Sequence, residues 1–271
     1  MHTNRTVRSL TAAVALLLGA HTATAHDLWL IPPDRAEPGK PVRIRANVGD
    51  EFPRSDVAHD TATYVRRFVV APDKTTGKLL PDGKEGTSGL MRFLPEKPGV
   101  YVVAVETQPK LITLAAEKFN EYLVAAGLQH IYLLRAREKT LDQPGRERYR
   151  KSVTALLRVG RGSAGDPCHA VGLPLEIVPL RNPLELKAGD TLPVRVLFQS
   201  KPLADANLGW DHPGDGVMPS GTVRTNPKGE ARIPIAQAGL MTIRLTHMTR
   251  PKAADYEWES FWTTLTFELP E

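Results

Sequence analysis

Three observations predict an all-β protein made of two immunoglobulin-like antiparallel β-sandwich units, with a short helical insertion in the first. Period-2 runs rich in Val, Ile, Leu and Thr, bounded by Gly, Pro, Asn and Asp, recur through the chain. A weak internal repeat divides it in two. Helical periodicity is confined to the middle.

Taken in order, residues 1–25 read as a secretory signal. Arg5 and Arg8 supply a basic region, Leu10 to Ala20 an apolar run, and Ala23-Thr24-Ala25 a small-residue cleavage site. That site suits signal peptidase better than Leu18-Gly19-Ala20, where a bulky leucine would enter a pocket for small side chains. The apolar run is too short to cross a bilayer about 30 Å thick, and no later segment comes closer, so the mature chain is expected to lack a transmembrane segment. Cleavage after Ala25 would place a protein opening His26-Asp27-Leu28-Trp29-Leu30 in the periplasm of a Gram-negative source, or outside the cell otherwise.

The first unit is expected over residues 26–180. Pro38-Gly39-Lys40-Pro41-Val42-Arg43-Ile44-Arg45 opens it with a turn glycine and an alternating strand, and Lys97-Pro98-Gly99-Val100 to Val105 closes it. Between about 115 and 150 lies the insertion. Ala115, Phe119, Tyr122 and Leu123 form one apolar stripe, ended by Gly127. Residues 128–139 are ambiguous between helix and strand, Pro144 to Tyr149 suggests another short helix, and Val153 to Val159 reads as extended. A linker is expected at Pro179-Leu180-Arg181-Asn182-Pro183.

The second unit, 181–271, repeats the plan: Ala188-Gly189-Asp190 to Val196 opens it, and Gln237-Ala238-Gly239 to Leu245 corresponds to the earlier closing segment. A hairpin is expected with its turn at Asn226 to Gly229, and a last strand from Trp262 to Leu269. Tyr256, Trp258, Phe261 and Trp262 read as a plug for the sandwich end, with Trp29 packed nearby.

Composition narrows the function. The net charge of +5 falls to +3 once residues 1–25, with two arginines and no acid, are removed, which is too mild and dispersed for nucleic acid. The single cysteine, Cys168, excludes an intramolecular disulfide and, lacking a second thiol, reads as incidental. His-Glu-x-x-His, paired cysteines, Gly-x-Ser-x-Gly and a phosphate-cradling glycine loop are all missing, so the sequence gives no warrant for an enzyme.

Six histidines follow the signal: His26, His59, His130, His169, His212 and His247. An N-terminal histidine chelates through its free α-amine and its ring, which makes His26 the first metal candidate. His247 extends the row Met241, Ile243, Leu245, because strand side chains alternate. If the first and penultimate strands finish at one pole, His247 adds a third nitrogen to an open site suited to Ni(II), Co(II) or Cu(II). Asp27, Glu257 and Glu259 are weaker candidates as oxygen ligands or orienting partners, and His212 lies in the loop Asp211-His212-Pro213-Gly214-Asp215-Gly216.

Across the mature chain, Ala25-His26-Asp27-Leu28-Trp29-Leu30, Gly49-Asp50-Glu51-Phe52-Pro53, Ala116 to Leu123, Arg181-Asn182-Pro183-Leu184, Gly189 to Val194, Thr246-His247-Met248 and Trp258 to Trp262 carry a family resemblance. The sequence resembles a bacterial exported family of uncharacterised domains described as the periplasmic component of ABC-type cobalt transport, or as nickel-uptake (NikM-like) proteins. The second unit is also similar to carboxypeptidase-regulatory-like and transthyretin-like modules, commonly non-catalytic. The resemblance implies an exported divalent-metal binder, for nickel or cobalt, serving a membrane metal transporter. His26 and His247 match the family's recurring histidines. A copper-binding sandwich and a non-metal module for a protein or glycan are the alternatives. An oxidative polysaccharide-cleaving enzyme would need a flat aromatic surface that the sequence does not reveal.

Overall fold

The structure is a computed structural model and describes residues 26–161, 165–252 and 255–270. The predicted signal, 1–25, lies outside the described residues. In chain order the elements are β1 (Asp27–Ile31), β2 (Val42–Gly49), β3 (Arg66–Val70), β4 (Thr76–Lys78), β5 (Leu80–Glu85), β6 (Ser88–Phe93), β7 (Gly99–Glu106), β8 (Lys110–Leu114), α1 (Ala116–Ala125), α2 (Gln129–Arg137) and β9 (Gly145–Val159). There follow β10 (Leu175–Pro179), β11 (Thr191–Phe198), β12 (Lys201–Pro202), β13 (Asn207–Asp211), β14 (Gly221–Arg224), β15 (Glu230–Pro234), β16 (Gly239–Thr249) and β17 (Trp258–Leu269). Neither described helix is long and apolar enough to cross a membrane.

The all-β expectation holds, with a particular layering. A main sheet of nine strands runs β14-β13-β16-β17-β9-β7-β3-β4, with β8 beside the start of β9. A small sheet, β1-β2-β6-β5, covers one face over the first half, and another, β10-β11-β12 with β15, covers the opposite face over the second half. Alternation divides the side chains of the main sheet between two cores. Tyr101, Val103 and Val105 of β7 pack under the first small sheet, while Val100 and Val102 join the core under the second. All eight residues of β7 are therefore buried, as its nearly unbroken apolar sequence requires.

The internal repeat has a backbone cause. Gly39 and Gly189 precede the equivalent strands β2 and β11, and Gly99 and Gly239 begin β7 and β16; all four have positive φ, at 75°, 92°, 136° and 98° respectively. The two units meet at β9 and β17, which pair in parallel from Glu147 opposite Trp258 to Ala155 opposite Thr266. Parallel pairing with covers on opposite faces relates the units by an approximate twofold along the strand direction.

Local expectations are refined at four points. Residues 128–139, ambiguous in sequence, contain α2. Gly145 to Tyr149 begins β9 and forms no helix, because β8 pairs with it on one edge and β17 joins on the other from Glu147. Leu175–Pro179, inside the first unit by the boundary at 180, pairs with β11 of the second. Asn226 to Gly229 turns the chain, with Gly229 N–H donating to Asn226 O at 2.8 Å, yet β14 and β15 enter different sheets, making a corner between layers instead of a hairpin. The helices cap a third core of Phe119, Leu123, Leu128 and Ile131 against Met248 and Trp258.

Candidate functional site

Antiparallel pairing of Asp27 with Gly49 sets the start of β1 against the loop after β2. Nδ1 of His26 lies 2.8 Å from Oδ1 of Asp50. Nζ of Lys151, on β9, donates to the carbonyl oxygen of His26. Asp27 is buried and meets Nη1 of Arg244, on β16, at 2.9 Å; Nε of the same guanidinium lies 2.9 Å from Asp211 on β13. One cation thus holds two acids from separate strands, as buried carboxylates require. Burial still pushes the Asp211 carboxyl up to about 6, against the pull of Arg244.

Beneath this corner lies a second buried group. Glu147 of β9 accepts from the Tyr122 hydroxyl at 3.2 Å and from Ser260, whose oxygen accepts from the Trp262 indole N–H at 3.0 Å. Desolvation pushes Glu147 up to about 7 and Lys151 down to about 8, since burial disfavours the charged form of each. The Lys151 ammonium sits 5.6 Å above the Trp262 ring, which stacks on Tyr122 at 5.5 Å. A cleft of about 460 Å³ opens over these groups, with Asp27, Asp50, Tyr122, Arg224, Arg244 and Trp262 in its wall.

The structure does not bring His247 to His26. On β16 and β17 one face carries Arg244 and Thr264, which meet Asp27 and the Leu28 carbonyl, and Lys151 of β9 shares that face with Trp262. His247 projects from the other face, opposite Phe261 in register, with its ring 4.6 Å from Phe198. The sheet separates the two histidines. The cause is the layering: β1 belongs to the small sheet covering the face away from the one into which Met241, Ile243 and Leu245 point. Burial, with His130 contributing less, drives the His247 ring down to about 4.

The weaker candidates also disperse. Glu259 lies between Arg148 and Arg150, at 2.6 Å and 3.2 Å, and is neutralised as an ion-pair partner. Glu257 is held at the entry to β17, where its N–H donates to Arg146 O, and its charge acts on Arg135 and Arg250. His212 is buried, and both ring nitrogens lack a hydrogen-bond partner among the described residues. His59 is half-buried against the Tyr64 hydroxyl, and desolvation takes its ring down to about 4. Burial, with the Asp166 carboxylate beside it, pushes the half-buried Cys168 thiol up to about 12. No group of three or more His, Cys, Asp or Glu suited to a metal ion occurs among the described residues.

Asp50, Glu147, Lys151 and Arg244 are the contributors that residue-by-residue reading passes over. The only signal for Asp50 was the segment Gly49 to Pro53, quoted above for resemblance. Glu147 is masked in the sequence because residues 144–149 carry a helix-like pattern, whereas the structure pairs them as a strand. Of the aromatic group, Trp258, Phe261 and Trp262 are buried, but Phe261 and Trp258 enter different cores on opposite faces of the main sheet, Tyr256 is half-buried, and Trp29 packs edge-on against Phe52 at 5.5 Å and not beside them, so they form no single plug.

Among solved structures, the D0-D1 domain of Intimin is similar at 11% identity and a TM-score of 0.23, covering 88% of this chain and 97% of that one. The alpha-2-macroglobulin of Salmonella is similar at 11% identity and a TM-score of 0.24, covering 90% of this chain and 16% of that one. That of E. coli gives 10% identity and a TM-score of 0.23, with 90% and 17% covered. A search of curated proteins gives no match. Residues 23–249 match a single family model, and on that match the chain belongs to the family described as Domain of unknown function (DUF4198).

Proposed function

We propose that this is an exported protein that captures a divalent transition metal at His26 and passes it to a membrane uptake system. The observation that carries the reading is the approach of His26 Nδ1 to Asp50 at the mouth of the cleft. Nδ1 is the ring nitrogen that closes a six-membered chelate with the α-amine of the same residue, so cleavage after Ala25 would create two nitrogen donors facing a carboxylate. Asp50 takes the place first expected of His247. Nickel or cobalt is the cargo implied by the family resemblance. A site of two nitrogens and one oxygen binds copper more tightly than either on affinity order alone, so availability in the compartment would decide the cargo.

The test is isothermal titration of protein recovered from the periplasm, with its first residue established by mass spectrometry, against Ni(II), Co(II) and Cu(II). Binding should be micromolar or tighter, roughly tenfold or more weaker in His26→Ala and in Asp50→Asn, and weak in a form carrying extra residues before His26, as expected when a liganding group or its partner is removed. His247→Ala should bind as the parent does. Unchanged affinity in His26→Ala would overturn the proposal.

A further inference from the structure

On the face of the main sheet opposite His26, a depression of about 440 Å³ is walled by Arg66, Arg148, Arg150, Phe261 and the turn residues Gln199 and Ser200. Its three arginines come from β3 and β9, and alternate with two acids. Arg66 and Arg150 approach Glu106 at 3.6 Å and 3.8 Å, while Arg148 and Arg150 approach Glu259 at 2.6 Å and 3.2 Å. The acids are the more buried partners: Glu106 is 9% exposed and Glu259 17%, against 42% for Arg66, 35% for Arg148 and 22% for Arg150. Each guanidinium also lies over an aromatic ring, Arg66 on Phe68 at 5.0 Å, Arg148 on Tyr256 at 4.7 Å and Arg150 on Phe261 at 5.3 Å.

We propose that this depression binds an oxyanion of the phosphate class. Three guanidiniums bring about fifteen N–H donors, and the two carboxylates accept few of them; Glu259 takes its three contacts from Arg148 and Arg150 on the single oxygen Oε1. Carboxylates below and rings beneath fix the guanidinium planes, so little side-chain entropy remains to be lost when an anion docks. The net charge of the five groups is +1, and the excess sits at the surface. A tetrahedral oxyanion matches the fork geometry of arginine and can accept from more than one of them. The cluster shares no residue with the metal corner and stands independently of it.

Two probes separate the sources of that phosphate: pyrophosphate in isothermal titration, and sedimentation with vesicles of phosphatidylglycerol compared with phosphatidylcholine, both with the full processed protein at low ionic strength. Binding of pyrophosphate without vesicles supports a free anion, and retention on phosphatidylglycerol vesicles alone supports a lipid headgroup. In either case Arg150→Gln and Arg66→Gln should each weaken binding by about tenfold, as expected for loss of a charge-assisted contact. The exposed Arg232→Gln should leave it unchanged, and so should His26→Ala. Arg66 stands at the rim, so its variant carries the test if Arg150→Gln fails to fold. Failure of both probes to bind, or equal binding by Arg66→Gln and Arg232→Gln, would overturn the proposal.

Discussion

His247 packs edge-on at one end of the core beneath the second small sheet, with Phe198 4.6 Å from its ring and Phe261 beside it in register. Its ring stays neutral down to about pH 4 in the folded chain, because burial opposes the charge, while in the unfolded chain it takes its proton near pH 6.5. Between these values the unfolded state binds more protons, so the stability this residue confers is complete above about pH 6.5 and is lost as pH falls toward 4. His59, also held down to about 4, acts in the same direction. Replacing His247 by Phe supplies a ring of similar size without the ionisation. Urea unfolding at pH 7.5 and pH 4.5 should show a smaller loss of stability on acidification for the variant; equal losses would mean that the ring is not shielded. The position was readable from sequence as an inward-facing extension of an apolar row, and that part of the reading is what the structure shows. Its supposed partner was not readable, since alternation tells which face a side chain takes but not which layer covers that face.

At the scale of elements, the helical insertion rests on one close approach. A Cβ added to Gly145 at the start of β9 would lie 2.2 Å from Cγ of Phe119, the buried ring on which α1 is anchored and over which Arg135 stacks at 4.8 Å. Gly145→Ala must push α1 off the sheet or distort β9, and should cost about 1–3 kcal/mol as overpacking does. A fall in the denaturant midpoint checks this, and a neutral result would show that the helices yield freely. The α1 stripe through Phe119 and Leu123 was legible because it has a clear 3.6-residue period; α2 was not, since Ile131 and Arg135 are the residues it buries and an arginine breaks the apolar signal. Arg135 is accommodated because its guanidinium donates to the carbonyls of Thr140 and Gln143, each at 2.6 Å. The start of β9 is hidden in the sequence for a related reason. Its residues Gly145 to Tyr149 are mostly charged, and only pairing partners distant in sequence make them a strand.

For the whole molecule, the parallel seam between β9 and β17 turns two repeated units into one sheet, so they should unfold together. Trp29 reports on the first unit and Trp210, Trp258 and Trp262 on the second, and their fluorescence should follow the far-ultraviolet dichroism through one transition. Two separated transitions would show that the seam is weak. Residues 26–180 expressed alone should give no cooperative transition, because that fragment lacks β17 and leaves β10 without β11. The repeat in the sequence announced two sandwiches but not their common sheet, as the seam involves strands that lie over a hundred residues apart. That separation also fixes an order of events during synthesis. A chain emerging from its N-terminus exposes one long flank of β9 until β17 arrives, and an open flank invites pairing with whatever extended peptide is nearest. The piece that closes it, β17, is the last of the described elements to be made, so the flank stays open until nearly the whole main sheet has been synthesised.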